Sequence, residues 1–128
     1  MRPVNLFLTE DGVLKLGYYG LTTQAECFPI MGMGWDGIRS FAPEVFRREY
    51  KKKSDVWSFG ISLIEMMGMT PYDGCGKNDL PTVRRILDLP FDIGVINSSD
   101  LIYFLQNCFE RVSERRSVKE LMNVSVMR

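Results

Sequence analysis

No histidine occurs among the 128 residues, so the base of a Ser-His-Asp or Cys-His pair has no candidate in this chain. The three cysteines, Cys27, Cys75 and Cys108, are far apart and show no Cys-x-x-Cys spacing; without histidine they compose no zinc site. They read as reduced thiols of an intracellular protein. The remaining chemistry is that of oxygen and amide groups at two nearby places. One is Asn5. The other is the turn in LKLGYYGLTT, residues 14–23, where a strand runs into a Gly-flanked corner carrying two phenols, Tyr18 and Tyr19. Two readings of that corner stand side by side: a metal-binding site that has lost its ligand, or a turn that never held one.

Two short apolar runs position these residues. NLFL (residues 5–8) and VLKL (13–16) are joined by Thr9-Glu10-Asp11-Gly12, a turn-forming tetrad with glycine placed for positive φ, which predicts a β-hairpin. From Leu21 to Phe41 both helical and strand periods vanish while Pro29, Gly32, Gly34 and Gly37 accumulate, so the stretch reads as a long irregular loop. Its Met31, Met33 and Trp35 read either as an adaptable contact surface or as side chains packed on the body of the domain.

DVWSFGISLIEMM, residues 55–67, places Val56, Phe59, Leu63 and Met66 on one stripe, and Trp57, Ile61 and Ile64 widen it until little polar face is left; a helix of this kind belongs at the centre of a core. Ser54 is its predicted N-cap, Asp55 is a favourable charge in its first turn, and Gly68 is placed to end it. A short helix follows over Thr82–Leu87, stopped by Pro90. Ser98 or Ser99 caps another over Asp100–Phe109, with Leu101, Phe104, Leu105 and Cys108 on one face. Ser117-Val118-Lys119-Glu120 fits a capping box and opens a last helix that runs out near Val124.

The 45% apolar and 12% aromatic content is enough for one core in a chain of this length. Sixteen basic residues balance sixteen acidic ones, so no global field favours nucleic acid or an anionic membrane as a partner. Any charge-based function must be local. The one dense run, Arg47-Arg48-Glu49-Tyr50-Lys51-Lys52-Lys53, reads either as a solvated face or as a contact for an acidic partner or phosphate. The N-terminus has no long apolar region, and the most apolar stretch, residues 56–70, is broken by Ser58, Ser62 and Glu65 and is too short to span a bilayer. The expectation is a soluble, intracellular, cytoplasmic protein without membrane or nucleic-acid partners.

Four motifs in one order carry a resemblance to the C-terminal lobe of the eukaryotic protein kinases. Arg2-Pro3-Val4-Asn5 is similar to the Lys-Pro-x-Asn end of the Ser/Thr kinase catalytic loop, and Leu16-Gly17-Tyr18-Tyr19-Gly20 stands where that family has Asp-Phe-Gly. Ala42-Pro43-Glu44 matches the family's Ala-Pro-Glu and is followed by Ser54-Asp55-Val56-Trp57-Ser58-Phe59-Gly60, its Asp-x-Trp-Ser-x-Gly helix. Glu114-Arg115-Arg116-Ser117 is close to Arg-Pro-Ser before the last helix. The resemblance runs from Arg2 to about Met122. Within the family, KKKSDVWSFGISLIEM and Pro71-Tyr72 look nearest to the mitogen-activated cascade and Ste20-like Ser/Thr kinases.

The resemblance implies a mostly α fold, the helical lobe of an α+β domain, with one hairpin, an activation-segment-like loop and about four to six helices. It makes residues 1–128 a partial kinase-like domain without its N-terminal lobe: counting back from Asn5, the catalytic aspartate falls one position before Met1. It also assigns roles by position. Asn5 matches the asparagine that holds the second Mg²⁺, although the residue itself reads equally as a hairpin-edge amide making local backbone bonds. Tyr18 takes the place of the metal-binding aspartate, and a neutral phenol with a pKa near 10 does not replace a carboxylate for a hard cation.

Glu44 and Arg115 match the family's buried ion pair, Asp55 its acceptor of catalytic-loop amides, and Trp57 its central-helix tryptophan. Thr22, Thr23 and Ser40 are the hydroxyls of the activation-segment-like loop, and so its candidate phosphorylation sites. ATP and Mg²⁺ are the family's cofactors; none is expected for this chain. The function implied is that of an inactive, pseudokinase-type binding or scaffold module acting through a protein partner. The alternative is a partial sequence of an ATP-dependent protein Ser/Thr kinase. In either case the surface around Asn5, Leu16 and Tyr18 is expected to be exposed and partly apolar.

Overall fold

The structure is a computed structural model and describes residues 2–17, 35–72, 75, 79–88, 93 and 95–124. After a 3₁₀ turn at Pro3–Asn5, strands β1 (Leu6–Leu8) and β2 (Leu14–Leu16) pair antiparallel with Leu6 opposite Leu16 and Leu8 opposite Leu14. The Thr9 amide donates to the Val13 carbonyl at 2.9 Å, and the Thr9 hydroxyl accepts from the Val13 amide at 3.0 Å, which closes the predicted turn. The hairpin stands outside the core. Phe7, Leu8 and Leu14 are each more than half exposed, so this small sheet presents apolar side chains to solvent.

The core is built around α2 (Ser54–Met66), with α1 (Trp35–Ile38), α3 (Asp79–Asp88), α4 (Ser99–Cys108) and α5 (Val118–Leu121) completing the helices among the described residues. Two apolar clusters lie on different faces of α2. Trp57 and Ile61 join Ile38, Ala42, Val45, Tyr72 and Ile86 in one; Val56 joins Phe104, Cys108, Leu121 and Val124 in the other, and Phe109 packs against both. This is why α2 lacks a polar face along most of its length. Its C-terminal end differs from the predicted stripe, because Met66 is 61% exposed where α2 outruns its neighbours.

α2 and α4 approach each other at Gly60. A Cβ built there would lie 2.9 Å from Cys108 Cβ and 2.9 Å from the Phe109 ring, so only a residue without a side chain fits. At the other end of α2, Gly68 adopts φ +79°. The Met69 amide bonds the Ile64 carbonyl, and the Gly68 amide bonds that of Glu65, the paired bonds of a Schellman termination.

The observed elements depart from the sequence-based expectations in three places. Ser54 is the first helical residue of α2 rather than its N-cap; the cap position is Lys53, which makes no side-chain capping bond. The Ser54 hydroxyl is diverted into a tertiary contact described below. The loop expected over residues 21–41 contains the short helix α1, whose Ile38 is fully buried against the Trp57 cluster. Packing stabilises a turn that Gly37 makes locally unfavourable. α3 begins three residues before Thr82, because Pro81 lies in its first turn, where amides have no intrahelical partner to lose.

The caps of the last two helices match their sequence signals. Ser98 accepts from the Leu101 amide, and Ser117 and Glu120 form the reciprocal capping box. α5 itself is regular only to Leu121.

Gly60→Ala tests the α2–α4 contact. Alanine returns up to about 1 kcal/mol of helix propensity, whereas overpacking against Cys108 Cβ and Phe109 costs about 1–3 kcal/mol. The expected outcome in a chemical-denaturation curve is net destabilisation; an unchanged or raised midpoint would show that α2 and α4 are not in close contact.

Candidate functional site

The hairpin register brings the ends of the first two motifs together. Pro3 starts the 3₁₀ turn, the Asn5 amide donates to the Arg2 carbonyl at 3.0 Å, and the Gly17 amide donates to the Asn5 carbonyl at 2.8 Å. Asn5 is half-buried and lies across the ladder from Gly17. Tyr18 and Tyr19 follow directly, and they lie outside the described residues. The Asn5 side chain offers one neutral amide oxygen to any ligand at this corner. Among the described residues, no group of three or more Cys, Asp or Glu side chains converges as a cation site.

Beside this turn, Arg2, Pro3 and Val4 share a shallow cavity with Arg39, Glu65 and Gly68. Arg39 Nε lies 2.8 Å from Glu65 Oε1, and both side chains are mostly buried. The turn after α1 is thus fastened to the end of α2 by an ion pair that no motif in the sequence announced.

The second cluster lies inside the lobe. Ala-Pro-Glu folds as the 3₁₀ segment Pro43–Arg47, with proline at its first position, where no amide is missed. This turn directs the buried Glu44 carboxylate towards the N-terminus of α2. Arg115 is fully buried and meets it with both terminal guanidinium nitrogens, Nη1 to Oε1 at 2.6 Å and Nη2 to Oε2 at 3.1 Å. Arg115 Nη1 also donates to the Lys53 carbonyl at 2.9 Å, and Nε donates to the Glu110 carbonyl at 3.0 Å. The Ser54 hydroxyl donates to Glu44 Oε1 at 2.8 Å, which is why it is not free to cap α2. Trp57 lies under the guanidinium, 5.0 Å from ring centre to Cζ, and the Phe109 ring meets Trp57 edge-on at 5.1 Å. A desolvated charge pair is retained where hydrogen bonds satisfy it this fully.

Burial alone would push the Glu44 carboxyl up, but hydrogen bonds from Arg115, its own backbone and Ser54, together with the Arg115 charge, hold it below the ordinary 4.5. Burial also pushes the Cys108 thiol up to about 12, so this cysteine is an inert core residue rather than a nucleophile.

Asp55 is exposed in the first turn of α2. Ser40 is only 3% exposed, and its hydroxyl donates to the Gly37 carbonyl at 3.0 Å. Its own carbonyl accepts from Ser58 Oγ at 2.7 Å. Ser40, proposed from sequence as a phosphorylation site, is therefore a packing residue in this fold and presents no hydroxyl to a modifying enzyme. Thr22, Thr23, Met31 and Met33 lie outside the described residues.

Sequence reasoning missed Ser54 as a partner of Glu44 and missed the Arg39–Glu65 pair. Both contacts join residues from different elements, and neither has a spacing that a helix or strand period would flag.

Residues 1–124 match the family described as protein tyrosine and serine/threonine kinase. The chain is 30% identical over 132 aligned residues to human dual specificity mitogen-activated protein kinase kinase 7; the alignment covers 91% of this chain and 30% of that protein. It is 31% identical over 114 aligned residues to mouse ribosomal protein S6 kinase alpha-2, covering 87% of this chain and 15% of the relative. The chain thus spans less than a third of the length of these curated relatives.

Removing the arginine tests the buried pair. Arg115→Ala leaves Glu44 without its counter-charge, and a loss of about 3–5 kcal/mol in denaturant unfolding is expected. Because the folded-state pKa of Glu44 is depressed, its contribution is complete above the ordinary carboxylate range and is lost as pH falls through the folded value. The pH dependence of stability below about 5 should therefore be steeper in the parent than in a Glu44→Gln/Arg115→Met double variant; identical slopes would show that Glu44 is not coupled to folding.

Proposed function

Because the chain belongs to the protein tyrosine and serine/threonine kinase family, we propose that it supplies the helical C-terminal lobe of a kinase-like domain that has lost magnesium-dependent phosphotransfer at position 18 and works by binding a protein partner. One observation carries this reading: the sequence has a phenol at position 18, where the family has its metal-binding carboxylate, next in the chain to Gly17, whose amide bonds across to Asn5. Phosphoryl transfer in this family depends on metal-borne charge neutralisation. When bound, Mg²⁺ would neutralise the phosphate oxygens, and it takes hard oxygen donors, carboxylates above all. A phenol and a neutral amide offer no carboxylate charge, so Tyr18 and Asn5 do not fit the ion.

The buried Glu44–Arg115 pair supports the binding role from the other side. A lobe with this pair intact keeps its packing whatever happens at the hairpin, since none of the groups bonded to the pair belongs to β1 or β2. The proposed setting is intracellular, by analogy with the family and from the free Cys75 and Cys108 among the described residues; no helix among the described residues is long and apolar enough to cross a membrane. The partner is proposed to be protein rather than nucleic acid, given the balanced charge.

A second reading is favoured by the names of the relatives and by the fraction of them that the chain spans: one part of an ATP-dependent Ser/Thr kinase. A melting curve with and without Mg²⁺ and ATP separates the two. No Mg²⁺-dependent shift in Tm is expected for this chain. A Mg²⁺- and ATP-dependent rise that disappears in Asn5→Ala would overturn the proposal and favour the second reading.

A further inference from the structure

The segment after Pro43–Arg47 concentrates charge that the rest of the chain does not share. Arg47, Arg48, Lys51 and Lys52 are all exposed, and Lys53 is half-buried. None of the first four makes an ion pair within the described structure, although acidic and basic residues are equal in number over the whole chain. Lys53 differs in holding its backbone carbonyl against Arg115. Glu120, at the start of α5, is held below the ordinary carboxylate range by hydrogen bonds from Ser117, with the charges of Lys53 and Arg116 adding to them.

The backbone under these charges is held at several points. Arg48 sits in the left-handed region at φ 61°, with its amide bonded to the Val45 carbonyl, and the Glu49 amide bonds the Glu44 carbonyl at 3.1 Å. The Lys51 amide donates to Ser54 Oγ at 3.2 Å, and the Ser54 amide bonds back to the Lys51 carbonyl at 2.9 Å. Arg115 donates to the Lys53 carbonyl. The segment is thus anchored to the buried Glu44–Ser54–Arg115 network at both ends. A charged run on a tail gains little from its charges, because ordering the chain costs about as much as the contact returns; here that ordering is already complete on folding.

We infer that residues 47–52 form a preorganised docking face for an acidic protein segment, a peptide rich in carboxylates. Two exposed carboxylates, Glu49 within the run and Asp55 just after it, favour this occupant over a bilayer or a nucleic acid. A uniform polyanion would be repelled at each of these points, whereas a peptide can present a neutral or basic side chain there. The inference is independent of position 18: the face would serve an active kinase and an inactive one alike.

The experiment titrates the 128-residue chain into a fluorescein-labelled peptide in which glutamates alternate with serines and follows anisotropy. Saturable binding is expected at low salt, weakening about tenfold or more at physiological ionic strength. The variant Arg47→Glu/Lys51→Glu/Lys52→Glu should lose about tenfold or more in affinity, while the control Arg84→Glu/Arg85→Glu, on exposed α3 positions, should bind as the parent does. Equal binding by the triple variant and the parent, with matching melting curves, would overturn the inference. So would tighter binding to phosphatidylserine-containing vesicles or to a single-stranded oligonucleotide than to the peptide. Should the triple variant fail to fold, Lys52→Glu alone decides: its affinity for the peptide must fall, and an unchanged affinity overturns the inference.

Discussion

Arg115 and Glu44 are 71 residues apart in sequence and meet with both ends of each charged group engaged. Taking two charges out of water is unfavourable by several kcal/mol per ion, and the pair survives only because its remaining hydrogen-bonding capacity is filled by Ser54, the Lys53 carbonyl and the Glu110 carbonyl. Those partners belong to the start of α2, the turn before it and the segment after α4. A single interaction therefore fixes how three parts of the chain come together. The Trp57 face under the guanidinium and the Phe109 edge against Trp57 extend the constraint into the apolar core, where Phe109 touches both clusters.

This arrangement separates scaffold from chemistry. The family's structural residues sit in the centre of the lobe, around the first half of α2. The two-stranded hairpin lies apart from it, with largely exposed side chains and a ladder that depends on local bonds. Among the described residues, none of the bonds that hold Glu44, Ser54 and Arg115 comes from the hairpin strands. The same network anchors the backbone of the basic 47–53 run, so what is structural for the core also shapes the surface.

Much of this was legible from residue types. The hairpin followed from its turn tetrad, the central position of α2 from its lack of a polar face, and the caps at Ser98 and Ser117 from local side-chain chemistry, because each is settled within a few residues. α1 was not legible: Gly37 argues against a helix, and only the burial of Ile38 between α2 and α3 overrides it. The role of Ser54 was misread for a related reason. A serine before Asp55 has the local signature of a cap, and nothing nearby reveals that a carboxylate ten residues upstream competes for its hydroxyl. Ser40 looked available because it lay in a segment with no periodicity, yet its hydroxyl and carbonyl both bond within the core.

The sequence alone determined the family resemblance, the mostly helical fold with one hairpin, and the absence of histidine-based chemistry. It also placed a phenol at position 18, since the identity of a side chain and its spacing from neighbouring motifs are properties of the chain itself. Tertiary structure alone decided that Glu44 takes Ser54 and Arg115 together, that Arg39 pairs with Glu65, that Gly60 has no room for a side chain and that Ser40 is enclosed. Each of these depends on atoms brought together from distant parts of the chain, where desolvation and close packing set the outcome and local propensity has no part in it.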